Sequence, residues 1–222
     1  MAQKSMQDLF NEELEDLYDA EKQIVKALPK VAEAVASEEL RDALEEHLEQ
    51  TNQHVTRLEQ VFQSIGREAK AKKCEGMKGL LEEGENVISE LDKSPVRDAA
   101  LIAAAQKVEH YEISGYGTLR TFAQLLGHDE AVELLEETLE EEKEADEKLT
   151  DIAESEINIE AADEDEGEEV EGEEEAAGSG SGRGGSSAQG GQSRGGNSSA
   201  KSTPSKKKAP KTSTAGHRSS GR

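Results

Sequence analysis

The 222-residue sequence predicts an all-α protein: a four-helix bundle of two antiparallel hairpins, with a long crossover between them and a disordered tail behind. Apolar residues recur every three or four positions through residues 1–158, which is typical of amphipathic helices. No segment shows the strict alternation of a half-buried strand. The connections between helices are short, long and short in turn, and this order favours two hairpins joined by a crossover.

Familiar helix signals bound the first hairpin. Its first helix is expected to begin near Ser5 and to run past Pro29, which should kink it because proline has no backbone N–H to donate. Ser37 is a good N-cap for the second helix, and Gly66 is suited to end that helix.

The second hairpin has similar boundaries. Ser94 followed by Pro95 places a cap and then a proline at the first helical position, which opens the next long helix. Gly127 is suited to end it, and Asp129 to cap the last helix, whose pattern fades near Asn158.

Residues 67–94 lie between the two hairpins and are too long for a simple turn. Their apolar residues predict short helical pieces packed across the bundle. Two hairpins joined by a crossover of this length form the ferritin-like arrangement rather than the simple up-and-down one.

Beyond residue 158 the composition changes twice. Residues 159–177 are predicted to form an acidic linker, and residues 178–222 a disordered basic tail, because neither has enough apolar surface to offset the entropy of ordering. The net charge of −24 conceals this division, since residues 1–177 hold 17 basic and 50 acidic residues. A domain with a balance of −33 should repel nucleic acid and anionic membranes.

Cysteine content and hydropathy indicate the cellular compartment that the sequence predicts for the protein. Cys74 is the only cysteine, so an intrachain disulfide and a cysteine-based metal site are both excluded. The N-terminal residues lead into an amphipathic helix without an apolar signal core, and no run is long enough to span a membrane. The sequence therefore predicts a cytoplasmic protein with no membrane partner.

Each of the four long helices places a metal-capable side chain on the stripe that should face the core. These side chains are Glu21 on the first helix, His47 and His54 on the second, Glu109 and Glu112 on the third, and Glu142 on the fourth. At about 100° per residue, they lie within the arc of their apolar neighbours. Acidic side chains are almost never fully buried unless something neutralises them, so the cluster predicts a bound cation.

The donor types narrow the choice of cation. Two divalent ions would balance four carboxylates, and carboxylates with imidazoles suit iron, manganese or zinc. Iron or manganese with an open coordination position could react with oxygen or peroxide. The sequence alone does not choose among these metals, or between one ion and two.

The acidic candidates also have interpretations without a metal. A small rotation of the last helix would leave Glu142 at the solvent edge. Glu109 and Glu112 could instead be satisfied by partners on neighbouring helices, with the Tyr116 hydroxyl, one turn away, as a donor to one of them. Lys22 and Lys26 offer Glu21 a surface salt bridge.

Further alternatives concern the first two helices. Glu13 lies nearer the centre of its apolar stripe than Glu21 and could serve instead. A histidine on an apolar face is more often a satisfied core residue than a ligand, and this applies to His47 and His54. Gln50, at the edge of the same face, can bind a metal only weakly through its neutral carbonyl.

Four segments of the chain resemble the YciE/YciF-like proteins. They are Asp16-Leu-Tyr-Asp-Ala-Glu21-Lys-Gln, His47-Leu-Glu-Gln-Thr51, the long stretch from Val96 to Glu112, and Thr138-Leu-Glu-Glu-Glu-Lys143. The resemblance covers residues 5–157 and not the tail. It implies a ferritin-like four-helix bundle related to rubrerythrin, self-association as a homodimer, a di-metal centre and a link to stress responses, whereas the activity of the family is not established.

The chain departs from the expected ligand pattern in two ways. Di-iron bundles supply one Glu from each of two helices and a Glu-x-x-His motif from each of the others, and no Glu-x-x-His occurs in this chain. Gln50 stands where the family pattern has a second Glu, a change that could weaken the centre or reduce two metal sites to one. His54 lies one turn after Gln50 and could compensate.

Two functions follow from these observations. The first is a stress-associated, ferritin-like protein that binds iron or manganese, with zinc as a further option, and the sequence leaves open whether it is an enzyme. The second is a non-enzymatic dimeric structural or interaction protein whose basic tail tethers it to DNA or another anion. Residues 178–222 contain no aromatic residue for base stacking, so their contact with nucleic acid would be weak and non-specific. A solubilising tail that folds back on the acidic bundle competes with that interpretation.

Overall fold

The computed structural model describes residues 4–163, so the basic tail and most of the acidic linker lie outside the described residues. Within residues 4–163 the chain is helical and contains no strand, as the sequence predicts. The helices are α1 (Met6–Ala34), α2 (Glu38–Ser64), α3 (Glu75–Glu90), α4 (Pro95–Leu126) and α5 (Asp129–Ile152), followed by a π-helix (Ala153–Ile157).

The four long helices form the bundle. α1 packs against α2 and α4, and α5 packs against the same two helices, so each long helix has two neighbours. α1 with α2 and α4 with α5 are the two predicted hairpins. α3 lies in the crossover against α4 and α1, and it is a single helix of 16 residues where the pattern suggested shorter pieces.

Local chemistry fixes the helix ends. Ser5 opens α1 with a reciprocal capping box, in which its hydroxyl accepts the N–H of Asp8 and its own N–H donates to the Asp8 carboxylate. The hydroxyls of Ser37 and Ser94 each accept an N–H from the third residue of the helix that follows. Gly127 ends α4 in the left-handed conformation, with φ of 74°. These boundaries confirm the predictions.

The last helix differs from its predicted boundaries at both ends. The N-cap position of α5 is His128, whose side chain makes no capping hydrogen bond, so the prediction that Asp129 caps this helix was wrong. Asp129 lies instead in the first turn, where a negative charge favours the helix dipole. At the other end, helical backbone continues to residue 163, past Asn158 where the apolar pattern fades.

The two hairpins are joined by polar contacts at one end of the bundle. The buried Asp98 carboxylate, at the start of α4, accepts the N–H groups of Ala36 at 2.9 Å and Ser37 at 2.8 Å. The neighbouring Arg97 guanidinium donates to the carbonyl of Ala34. Because these bonds tie α4 to the α1–α2 connection, they fix the position of one hairpin relative to the other.

Most of the interior is apolar, and its largest group of buried polar side chains lies around the middle of the four long helices. Large aliphatic and aromatic side chains fill it, among them Phe10, Leu14, Leu58, Phe62, Leu119 and Leu135. α1 and α4 approach closely at Gly115, where an added Cβ would lie 3.1 Å from Leu17 Cδ1. Among the described residues, no helix is both long enough and apolar enough to cross a membrane.

Candidate metal centre

All six residues singled out from the helical pattern are buried in the bundle. Glu21, His54 and Glu142 are fully inaccessible, and the most exposed of the others is His47, at 7%. Glu13, the alternative on the first helix, is exposed, so α1 offers Glu21 to the interior. The alternative in which Glu142 lies at the solvent edge does not occur.

The six side chains form two groups that share one residue. In the first group, donor atoms of His47, Glu109, Glu112 and Glu142 lie within 4.8 Å of one another. The second group, formed by Glu21, His54 and Glu142, is equally close.

Glu142 lies between the two groups. Its Oε2 is 4.0 Å from Nε2 of His47, and its Oε1 is 2.8 Å from Nδ1 of His54. The contact with His54 is short, but its angles are not those of a hydrogen bond. The two oxygens of Glu142 thus face different histidines, and Glu142 is the residue that the two groups share.

Helical spacing explains how two helices each contribute two donors. Glu109 and Glu112 are three residues apart, so α4 places both carboxylates on one face. His47 and His54 are seven residues apart, which is about two turns, and their ring centroids are 6.3 Å apart. Oε1 of Glu109 lies 3.4 Å from Nε2 of His47, which places a carboxylate of α4 beside an imidazole of α2.

Buried polar atoms without a hydrogen-bond partner are concentrated at this cluster. Nine such atoms belong to the six residues, and the only others among residues 4–163 are the Nε atoms of Arg97 and Arg120. The nine are Glu21 Oε2, His47 Nδ1 and Nε2, His54 Nδ1, Glu109 Oε2, and both carboxylate oxygens of Glu112 and of Glu142. Native proteins leave few buried polar groups unpaired, so this set of carboxylate and imidazole donors fits a bound cation.

No lysine or arginine of the described residues neutralises these carboxylates. Two basic residues on the same helix as Glu109 and Glu112 are engaged elsewhere: Lys107 pairs with Glu83 at 2.7 Å, and Arg120 pairs with Glu136 at 3.0 Å. The Lys22 ammonium lies over the ring of Tyr18, 4.7 Å from its centroid. The salt-bridge alternatives are therefore not observed.

Burial makes the ionised carboxylates unfavourable. Burial, reinforced by the charge of Glu142, raises the pKa of Glu21 to about 7, and burial raises the pKa of Glu109 to about 8. Burial also raises the pKa of Glu112 and Glu142, and neighbouring carboxylates add to both shifts. Without a cation, the cluster therefore holds protons at a pH where exposed carboxylates do not.

Tyr116 has a different partner from the one expected. Its buried hydroxyl donates to Oε1 of Glu21, across the bundle, and not to Glu109 or Glu112 on its own helix. The prediction of an intrahelical bond was wrong because the long tyrosine side chain reaches α1. The bond leaves Oε2 of Glu21 without a partner.

A supporting network behind His54 was missed by sequence reasoning. Nε2 of His54 lies 2.9 Å from Oε2 of Glu141, and the nearly buried Arg57 donates to the same oxygen at 2.7 Å. Arg57 also donates to the Thr138 hydroxyl at 2.7 Å. The sequence offered one signal of this network, Arg57, which is a basic residue near the apolar stripe of α2. Glu141 could not be distinguished by sequence from the glutamates on either side of it.

Gln50 occupies a different position from the six buried residues. It is half-buried and lines an opening beside His47 and Glu109. Its role as a weak ligand remains a prediction.

Comparisons with known proteins agree with the predicted fold and resemblance. The model of a family described as a domain of unknown function (DUF892) matches residues 5–162. Protein YciF of Escherichia coli K-12 is 51% identical over 162 residues, which cover 72% of this chain and 98% of that protein.

Two solved structures are similar to the bundle. The crystal structure of the E. coli stress protein YciF has a TM-score of 0.68 and covers 70% of this chain and 99% of its own, at 51% identity. YcfI from Rhodopseudomonas palustris has a TM-score of 0.65 and covers 66% of this chain and 94% of its own, at 44% identity. The resemblance to YciE/YciF-like proteins is confirmed.

Proposed function

The chain belongs to the family described as a domain of unknown function (DUF892), and we propose that it is a ferritin-like protein that binds transition-metal ions in the bundle core. The proposal depends on one observation, the concentration of nine unpartnered donor atoms on six buried side chains. Several buried carboxylates without a counterion would each lose several kcal/mol of solvation, and a bound cation offsets that loss.

The arrangement favours two ions over one. Glu21 and His54 lie on one side of Glu142, and His47, Glu109 and Glu112 lie on the other. Two divalent cations would neutralise the four carboxylates, with Glu142 between them. α4 contributes two donors, Glu109 and Glu112, and α2 contributes two histidines, as the two Glu-x-x-His helices of other di-metal bundles each contribute two ligands.

Carboxylate oxygens with one imidazole on each side suit iron and manganese, and zinc is also compatible. When bound with an open coordination position, iron or manganese would supply chemistry with oxygen or peroxide. The E. coli relative is described as a stress protein, which supports a stress-associated role for this chain.

Metal content of the purified, untagged full chain tests the proposal. The protein should hold iron, manganese or zinc on elemental analysis, or take up Mn²⁺ or Fe²⁺ stoichiometrically in an anaerobic titration. The double variant Glu109→Gln/Glu142→Gln keeps the side-chain size and removes two charges, and it should abolish uptake. The matched control is Glu136→Gln/Glu140→Gln, which changes two exposed glutamates that pair with Arg120 and Lys143 on the surface.

Full metal content in the Glu109→Gln/Glu142→Gln variant would contradict the proposal. A wild-type chain that takes up no transition metal would do the same, and would leave a non-enzymatic structural or interaction role as the better interpretation.

A further inference from the structure

An opening between α2 and α5 leads from the surface to the His47 side of the cluster. Its volume is about 150 Å³. Its polar lining consists of Glu46, His47, Gln50, Glu109, Glu144 and Lys148, and two alanines and two leucines, Ala145 among them, complete the wall.

The inner end of this opening contains an unpaired donor. His47 is 7% exposed, and neither of its ring nitrogens has a hydrogen-bond partner. The Glu109 carboxylate beside it is 3% exposed and also has an unpartnered oxygen. A ligand that enters this way therefore meets free imidazole and carboxylate groups.

The outer end is acidic and is crossed by one ion pair. Glu46 on α2 and Glu144 on α5 are both exposed, and the ammonium of Lys148 on α5 pairs with Glu46. Lys148 and Glu46 remain 50% and 60% exposed. Because water screens such a pair, it is weak and opens readily.

We propose that this opening is the route by which divalent cations enter the metal centre, and that the Lys148–Glu46 pair closes it. This inference rests on the proposed function. The surplus of carboxylates at the mouth attracts cations and raises their local concentration. Breaking the pair removes the bridge between α2 and α5 and frees the Glu46 carboxylate to meet the incoming ion.

A second depression that reaches Glu109 is less suited to cations. It lies among α1, α3 and α4, and most of its lining is aliphatic, including Ile24, Leu80, Ile88, Leu101 and Val108. A hydrated cation would lose water against these aliphatic side chains, which is unfavourable, and the Glu85 carboxylate in the lining is paired with Lys30. The opening beside His47 instead offers carboxylates at its mouth, Glu46 and Glu144, and at its inner end, Glu109.

The first test measures access to His47 in the metal-free full chain with diethyl pyrocarbonate, a neutral reagent that modifies unprotonated imidazole. Lys148→Met and Glu46→Gln both break the ion pair but change the charge of the mouth in opposite directions. If the pair closes the opening, both variants should speed modification of His47 by roughly two- to fivefold, the effect expected from losing a surface ion pair.

Two controls accompany the labelling. His110 is exposed, with 68% of its side chain accessible, and should react at one rate in every variant. Lys143→Met breaks a comparable ion pair with Glu140 on the same helix, away from the opening, and should leave the His47 rate unchanged. Equal His47 rates in wild type, Lys148→Met and Glu46→Gln would overturn the inference.

The second test follows uptake of Co²⁺ by stopped-flow absorbance. Lys148→Met should load faster, Ala145→Leu should load more slowly because the added side chain narrows the opening, and the final stoichiometry should match wild type in both. Full loading at an unchanged rate in both variants would overturn the entry route while leaving the metal centre in place. No loading in any variant would overturn both proposals.

Discussion

His54 and Glu141 are in direct contact, with Nε2 of the imidazole 2.9 Å from Oε2 of the carboxylate. The opposite ring nitrogen, Nδ1, faces Glu142 at 2.8 Å. A carboxylate on the outer nitrogen of a histidine fixes its tautomer and orientation and leaves the inner nitrogen free to bind a metal. Arg57 holds Glu141 in turn, so an α2–α5 network outside the cluster positions one of its histidines.

Removing this carboxylate should weaken metal binding without removing a ligand. Glu141→Ala is expected to lower the affinity for Mn²⁺ or Fe²⁺ about 10- to 100-fold, the usual effect of losing an outer partner of a ligating histidine. Glu141→Gln keeps a hydrogen-bond acceptor, so its affinity for the metal should lie between those of the wild type and Glu141→Ala. Chelator competition measures the affinities, with exposed Glu140→Gln as the control. Wild-type affinity in Glu141→Ala would show that the contact does not position His54.

The metal-free protein should be more stable in mild acid than at alkaline pH. Folding raises the pKa of Glu21 from 4.5 to about 7 and that of Glu109 to about 8, chiefly through burial. A group with a raised pKa contributes stability that is complete below the unfolded value and is lost as pH rises through the folded value. The melting temperature in EDTA should therefore fall between pH 5 and pH 8.

The Glu109→Gln/Glu142→Gln variant is the control for that pH dependence. It keeps the rest of the acidic surface and loses two titrating groups, so its melting temperature should change less over the same range at constant ionic strength. Saturating metal should reverse the wild-type trend, since ligands must lose their protons to bind. An equal pH dependence in wild type and variant would locate the effect outside the cluster.

The hydrogen bond from Tyr116 to Glu21 should contribute to stability at pH 8, where Glu21 is ionised. Tyr116→Phe leaves the ring in place but removes a buried donor to a charged group, which is expected to lower the free energy of unfolding by about 1–3 kcal/mol. Urea unfolding of the metal-free protein measures the change. Tyr18→Phe removes a comparable bond to Glu59, near the surface, and should have a smaller effect. If Tyr116→Phe and Tyr18→Phe lowered the free energy of unfolding equally, the position of Tyr116 in the cluster would not strengthen its hydrogen bond.

The contacts of Asp98 should stabilise the fold and not the metal centre. Asp98→Ala leaves the backbone N–H groups of Ala36 and Ser37 without their buried acceptor, so the free energy of unfolding should fall by about 3 kcal/mol. Asp8→Ala, which removes an exposed capping carboxylate, should lower it by about 1 kcal/mol. Metal stoichiometry of the folded protein should be the same in both. Loss of metal from folded Asp98→Ala would contradict this division.

Residues 178–222 lie outside the described part of the chain, and the sequence makes one prediction about them. Retention of the full chain on DNA-cellulose at low salt is expected to depend on these residues, because they include nine basic residues and no acidic one, whereas the rest of the chain includes all 50 acidic residues. The retention should decline steeply as salt rises, since it depends on contacts between basic residues and phosphates. A chain ending at residue 177 should keep its metal content and lose retention. If the shortened chain binds DNA equally well, the tail does not tether it.

The sequence was informative wherever the signal is local. Ser37, Ser94 and Gly127 mark helix ends because each satisfies backbone groups of its own helix. The boundary at Asp129 was missed because an acidic residue there is favourable either as a cap or within the first turn, and the pattern does not distinguish the two positions.

The candidate ligands illustrate the same limit. Periodicity along single helices identified Glu21, His47, His54, Glu109, Glu112 and Glu142 as inward-facing, and the structure brings all six together. It did not identify Glu141 as the partner of His54, or Glu21 as the acceptor for Tyr116.

By itself, then, the sequence determined the four long helices, their pairing into hairpins and the polar side chains that face the interior. Only the tertiary structure decided which oxygen meets which nitrogen, which carboxylate is shared, and where the surface opens toward His47. Helical periodicity follows from the geometry of one chain segment, so it can be read in order along the residues. Contacts between helices depend on axial rotation, relative height and side-chain reach, and these are set by packing among segments that are distant in the sequence.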